Sequence, residues 1–86
     1  MNNPKLEYFY YDACPFCQMV KSVINQLNVK LEYKNIQEDE ASFNRLVADT
    51  GRRTVPCLYI DNKPMFESAD IINWLQTNID NLEKNS

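Results

Sequence analysis

Two cysteines three positions apart, Cys14 and Cys17 in the tetrad Cys14-Pro15-Phe16-Cys17, are the residues of this chain best suited to chemistry. They stand where a β-type run, Leu6-Glu7-Tyr8-Phe9-Tyr10-Tyr11, gives way to a helical pattern. At a helix start the backbone N–H groups lack intrahelical partners and the dipole is positive, so a sulfur there is favoured as thiolate. The dipole alone supplies roughly 0.3–1 kcal/mol, or up to ~2 in a partly buried site, so a larger effect needs direct N–H···S bonds. Phe16 and Cys17 have N–H groups able to make them, whereas Pro15, at the first helical position, has none to lose. This placement predicts an exposed Cys14 sulfur as the attacking thiolate and a recessed Cys17, one turn in, as the resolving thiol. Thiol–disulfide exchange is the chemistry such a pair performs. Zinc needs about four ligands, and three cysteines without histidine do not supply them, so no metal site is expected.

The elements that must hold this pair follow from periodicity. Lys5–Tyr10 reads as a strand, and Pro15–Leu27 as a helix with Phe16, Val20, Val23, Ile24 and Leu27 as its apolar stripe. With the extended run Leu31–Ile36 they make a β-α-β unit. Asp39–Thr50 predicts a second helix, Phe43, Leu46 and Val47 inward, stopped by the single glycine, Gly51. Pro56–Ile60 and Lys63–Phe66 flank Asp61-Asn62, a two-residue hairpin turn. Ser68 is expected to cap a last helix carrying Ile71, Ile72, Leu75 and Ile79, and the polar tail from about Asn81 to Ser86 is expected to fray.

Composition excludes several classes. Eighty-six residues without a repeat or linker predict a single domain over 1–86 with one modest core. A net charge of −3 argues against nucleic acid, which calls for clustered Lys and Arg. Absence of histidine removes Ser–His and Cys–His hydrolase mechanisms. No apolar stretch is long enough to cross a bilayer and Met1-Asn2-Asn3-Pro4-Lys5 opens no signal segment, so a cytoplasmic protein without membrane contact is expected. An odd number of cysteines, two of them in the tetrad, fits a reducing compartment.

Cys14-Pro15-Phe16-Cys17, Thr54-Val55-Pro56 and Glu67-Ser68-Ala69-Asp70, in this order and spacing, resemble the glutaredoxin family from about Leu6 to Ile79. The resemblance implies an α/β thioredoxin fold, β-α-β-α-β-β-α, with a four-stranded mixed sheet flanked by helices. It implies a cis Pro56 facing the cysteines, with the Val55 N–H and C=O reading glutathione by backbone pairing beside Thr54. The start of the last helix would take the γ-glutamyl carboxylate at Ser68 and Ala69, and Asp70 the ammonium. Without the family, Ser68 reads as a cap and Asp70 as a complement to the dipole. Arg52 and Arg53 read as solvated surface charge or, by the resemblance, as partners of the glycyl carboxylate. Tyr11 replaces a lysine common in the family and would pack on glutathione or donate its hydroxyl. Phe66-Glu67 stand where many members have Gly-Gly, and Glu67-Ser68 is similar to the thioredoxin-like domain of glutathione transferases. Cys57 reads as a small buried hydrophobe or as a third redox thiol, and Trp74 as partial core.

The activity implied is glutathione-dependent reduction of protein–glutathione mixed disulfides and of protein disulfides, ribonucleotide reductase among them, by a monomer with glutathione as co-substrate. The rival is a carrier in which two chains and two glutathiones hold a [2Fe–2S] cluster through Cys14. Dedicated carriers of the family usually have Cys-Gly-Phe-Ser, and the proline and second cysteine here favour catalysis.

Overall fold

Successive residues of a strand point to opposite faces, so the first strand, β1 (Leu6–Tyr10), feeds two separate cores. Leu6 and Tyr8 join Val20, Ile24, Leu58, Ile71 and Leu75 in one buried cluster, while Phe9 joins Leu46, Cys57 and Tyr59 in the other. The computed structural model, which describes residues 3–85, is accordingly a sheet covered on both sides. After β1 come α1 (Pro15–Leu27), β2 (Glu32–Asn35), α2 (Glu40–Thr50), β3 (Cys57–Ile60), β4 (Lys63–Phe66), α3 (Ser68–Thr77) and a 3-10 turn at Ile79–Asn81. The strand order is β2-β1-β3-β4, with β1 parallel to β2 and antiparallel to β3, and β3 antiparallel to β4. This is the expected thioredoxin-like α/β fold. Leu46 of α2 packs on the second face and the buried residues of α1 and α3 on the first. Among the described residues no helix is long and apolar enough to cross a membrane.

Local signals end the elements where the sequence marks them. Gly51 stops α2 at φ 70°, and Asn28 stops α1 at φ 57°. Asp61 and Asn62 both take positive φ, 49° and 70°, as a two-residue hairpin turn of the primed type requires. Pro64 is accommodated because β4 is an edge strand.

Three expectations need correction. Phe16 is 59% exposed and does not belong to the apolar stripe of α1, whose buried members are Cys17, Val20 and Ile24. The helix is rotated so that the second cysteine, not the phenylalanine, faces inward. The residue at the N-cap of α3 is Glu67, at φ 72° and without a side-chain cap bond, and Ser68 is the first helical residue. The tail is docked through Asn85: Leu82 is buried, Val29 bridges Lys84, the Lys30 N–H donates to the Glu83 carbonyl at 2.8 Å, and the Asn85 N–H donates to the Asn28 carbonyl at 3.0 Å. Ser86 lies outside the described residues. The third cysteine follows the strand alternation: Cys57 is fully buried in the cluster on the α2 face, the side away from α1, and burial pushes its thiol up to about 12. That supports the small-hydrophobe reading.

The second face also holds a charge that composition did not reveal. Glu7 is 3% exposed and accepts a hydrogen bond from Arg45 Nη1 at 2.7 Å. The Arg45 guanidinium lies 4.4 Å from the Tyr59 ring centroid, and the Tyr59 hydroxyl donates to Asp49 at 2.9 Å. The Arg45 hydrogen bond is the main reason the Glu7 carboxyl titrates below its ordinary value despite burial.

Candidate active site

The chain leaves β1 at Tyr10, turns, and enters α1 at Pro15, with Cys14 at the N-cap in extended conformation, φ −84° and ψ 113°. The Cys14 N–H donates back to the Tyr11 carbonyl at 3.3 Å, which closes the turn and aims the Cys14 side chain over the first turn of the helix. There Cys14 Sγ accepts the Cys17 N–H at 3.1 Å. Of the two N–H groups foreseen for this role, Cys17 makes the bond. A sulfur at the N-cap thus does what Ser, Thr or Asp oxygens do at other helices. Cys14 is also more covered than its position in sequence suggests, with 5% of its surface exposed.

Cys17 is fully buried, and burial pushes its thiol up to about 12, first by desolvation and then by its hydrogen bond with Cys14. Two groups pull the other way: a backbone hydrogen bond at Tyr11 and the Tyr8 side chain. The Tyr8 hydroxyl donates to the Cys17 carbonyl oxygen at 2.8 Å. Cys17 is recessed as expected, but the Cys14 sulfur is not exposed: it too is buried, because its side chain lies back over the first turn and accepts the Cys17 N–H. One sulfur caps the helix, and the other is buried beneath it as a thiol.

The Val55–Pro56 peptide bond is cis, and Pro56 is buried. Among the described residues no backbone hydrogen bond engages the Val55 N–H or C=O. Val55 and Pro56 line an open groove of about 130 Å³ together with Phe16, Thr54, Glu67 and Ser68. Folding thus brings together pieces of all three sequence motifs, at positions 16, 54–56 and 67–68. The exposed Phe16 is one wall of that groove, which explains why it is not in the core. A larger cavity, about 170 Å³, lies at the other end of β1 against Lys5, Leu31, Glu32 and Glu83, on the side away from the cysteines.

Four other predicted residues are not part of the groove lining. Ala69 and Asp70 are exposed in the first turn of α3, Tyr11 is half-buried in the turn before Cys14, and Arg53 is exposed. Arg52 has the more defined place of the two arginines, its guanidinium 4.2 Å from the Phe66 ring centroid. Sequence reasoning missed Phe16 and Glu67 as lining residues and Tyr8 as a partner of Cys17. For Phe16 no local signal was available, since it stands at helical spacing with Val20 and Val23 just as Cys17 does with Val20 and Ile24. No local signal distinguishes Tyr8 from the other aromatic residues of β1.

A family model described as Glutaredoxin matches residues 6–65. The chloroplastic glutaredoxin-C4 of Oryza sativa subsp. japonica is 38% identical over 53 residues, 58% of this chain and 40% of that protein, so the match spans less than half of the relative. A thioredoxin-like protein, BC3987, has a crystal structure with a TM-score of 0.73 at 30% identity, over 85% of this chain and 97% of that one. The buckwheat glutaredoxin–glutathione complex has a TM-score of 0.66 at 24% identity over 87% of this chain and 70% of that one, a likeness of fold. Because the family match runs from β1 through the cysteine helix and the cis proline into β4, the similarity lies in the architecture that holds the thiols, and the chain belongs to the glutaredoxin family.

Proposed function

We propose that this protein is a glutathione-dependent thiol–disulfide oxidoreductase with Cys14 as nucleophile and Cys17 as resolving thiol. The observation that carries the reading is the Cys14 sulfur at the N-cap of α1, accepting the Cys17 N–H at 3.1 Å on the helix whose first turn walls the groove. A thiolate at that point attacks the glutathione sulfur of a protein–glutathione mixed disulfide. The Cys14–glutathione bond forms, the old S–S bond breaks, and the substrate protein departs as thiolate and takes up a proton. A second glutathione thiolate then attacks the bound glutathione sulfur, releasing glutathione disulfide and restoring Cys14. In the dithiol route Cys14 attacks one sulfur of a protein disulfide, such as that of ribonucleotide reductase, and frees the other as thiolate. Cys17 then attacks the Cys14 sulfur of the mixed disulfide, and the protein leaves with both thiols reduced. Two glutathiones reduce the resulting Cys14–Cys17 disulfide and depart as glutathione disulfide.

Glutathione is assigned to the groove. Val55 would pair through its backbone, which reads an extended peptide without regard to side chains, with Thr54 and Pro56 shaping that edge. Ser68 and Ala69 would present N–H groups of the α3 start to the γ-glutamyl carboxylate, with Asp70 on the ammonium. Tyr11 and Arg53 would complete the site from the two loops, Arg53 toward the glycyl carboxylate. The glutathione held by the buckwheat relative supports the ligand.

The test is a deglutathionylation assay on the wild type, Cys14→Ser and Cys17→Ser. Cys14→Ser should lose all turnover. Cys17→Ser should retain reduction of mixed disulfides and lose the dithiol reduction of protein disulfides. Turnover surviving in Cys14→Ser would overturn the assignment of the nucleophile.

A further inference from the structure

The resolving thiol has a partner that no motif announced. Tyr8 is fully buried, its ring stacked on Tyr10 at 5.7 Å and met edge-on by Tyr33 at 6.1 Å. That clamp fixes the hydroxyl beneath the first turn of α1, where it donates to the Cys17 carbonyl oxygen at 2.8 Å. The acceptor thus belongs to the same residue as the buried sulfur. We infer that Tyr8 is a positioning residue for the dithiol branch: its hydroxyl holds Cys17 in place through the carbonyl oxygen and shifts its hydrogen bond onto the sulfur as that sulfur becomes anionic.

The need for such a donor follows from the reaction. In the resolving step Cys17 sulfur attacks Cys14 sulfur of the Cys14–glutathione adduct. The Cys14–Cys17 bond forms, the bond to glutathione breaks, and glutathione leaves with the electron pair. The proton of Cys17 ends on the departing glutathione or in solvent, so no external oxidant or reductant is required. Negative charge develops at a fully buried sulfur, and a hydrogen bond to a buried anion is stronger than one to a neutral acceptor. Cys14, the backbone at Tyr11 and Tyr8 act on that sulfur, and none of these three is a carboxylate or a cation. Around Tyr8 itself stand Cys14 and Cys17 of the helix start, Tyr33 of β2 and Tyr10, with Lys21 of α1 held over the Tyr10 and Tyr33 rings at 5.3 and 5.4 Å. Apolar Leu58, Ile71 and Leu75 complete the same cluster. Burial also drives the phenol well above its usual range, which keeps it a donor and excludes it as a base.

The inference rests on the oxidoreductase reading, and one experiment separates the two. Reduced protein is mixed with excess glutathione disulfide and quenched with acid at intervals, and mass spectrometry follows first the glutathione adduct and then the Cys14–Cys17 disulfide across a range of pH. The second rate is divided by the first within each trace. Tyr8→Phe should lower that ratio by about tenfold and displace its pH profile upward. A purely structural role for Tyr8 would lower stability without moving the profile. If Tyr8→Phe does not fold, 3-fluorotyrosine at position 8, a stronger donor, should raise the ratio and displace the profile downward. An unchanged ratio and profile in either variant would overturn the inference, while a wild type that never forms the Cys14–Cys17 disulfide would overturn the dithiol reading and the inference with it.

Discussion

The two faces of the sheet are built on different principles. The face under α1 and α3 is an apolar core of nine buried residues that bears the cysteine helix and its one buried hydroxyl, that of Tyr8. The face under α2 has four buried members, and its arrangement depends on Glu7, Arg45, Asp49 and Tyr59 linked by charge and hydrogen bonds. Apolar burial is insensitive to pH and intolerant of voids, whereas a buried ion pair depends on both partners and on protonation. The chemistry sits on the first face, where a helix start must be held rigidly. The second face can fail by pH without any change in the residues around the thiols.

The largest test of that contrast is Leu75→Ala. Leu75 is fully buried on the first face, and removing its side chain should cost about 2–5 kcal/mol in urea unfolding. Arg45→Ala attacks the other face and leaves Glu7 buried and unpaired. Its cost should be about 2–3 kcal/mol, below the ~3–5 of a fully enclosed pair because Arg45 is 33% exposed. Deglutathionylation measured well below the melting temperature should be unchanged in this variant, and a loss of turnover there would show that the faces are coupled.

A pH series sharpens the same point with a smaller effect. Arg45 depresses the folded Glu7 carboxyl below its ordinary value of 4.5, so the stabilisation is fully present above that value and is lost as pH falls through the folded one. Glu7→Gln should cost about 1–2 kcal/mol at neutral pH and flatten this part of the acid limb, read from melting temperature between neutral pH and about pH 3. An acid limb of undiminished slope would mean that other carboxylates carry it. The smallest effect is expected at Glu67, which holds φ 72° where glycine meets no steric penalty. Glu67→Gly should raise stability by about 1 kcal/mol in chemical unfolding, and a neutral or negative result would show that the Glu67 side chain offsets its own backbone strain.

Periodicity and end signals were legible because both are properties of neighbouring residues. The order β-α-β-α-β-β-α, the Gly51 stop and the Asp61-Asn62 turn all follow from local propensity, and the Cys14–Cys17 spacing at a helix start is equally local. The joining of Thr54, Val55 and Pro56 with Ser68 in one groove came from the family resemblance, since nothing in spacing alone brings residues 54 and 68 together. Other features were settled between elements. The angle at which α1 docks on the sheet put Cys17 inside and Phe16 outside, and the close pairing of Val29 with Lys84 ordered a tail whose composition reads as frayed. Arg45 meets Glu7 across thirty-eight positions, and Tyr8 reaches Cys17 from the opposite side of a turn. A local pattern states which residues prefer to be buried. Which acceptor a buried donor finds is decided only when two elements pack, because a hydrogen bond depends on positions to within fractions of an ångström that no single element determines.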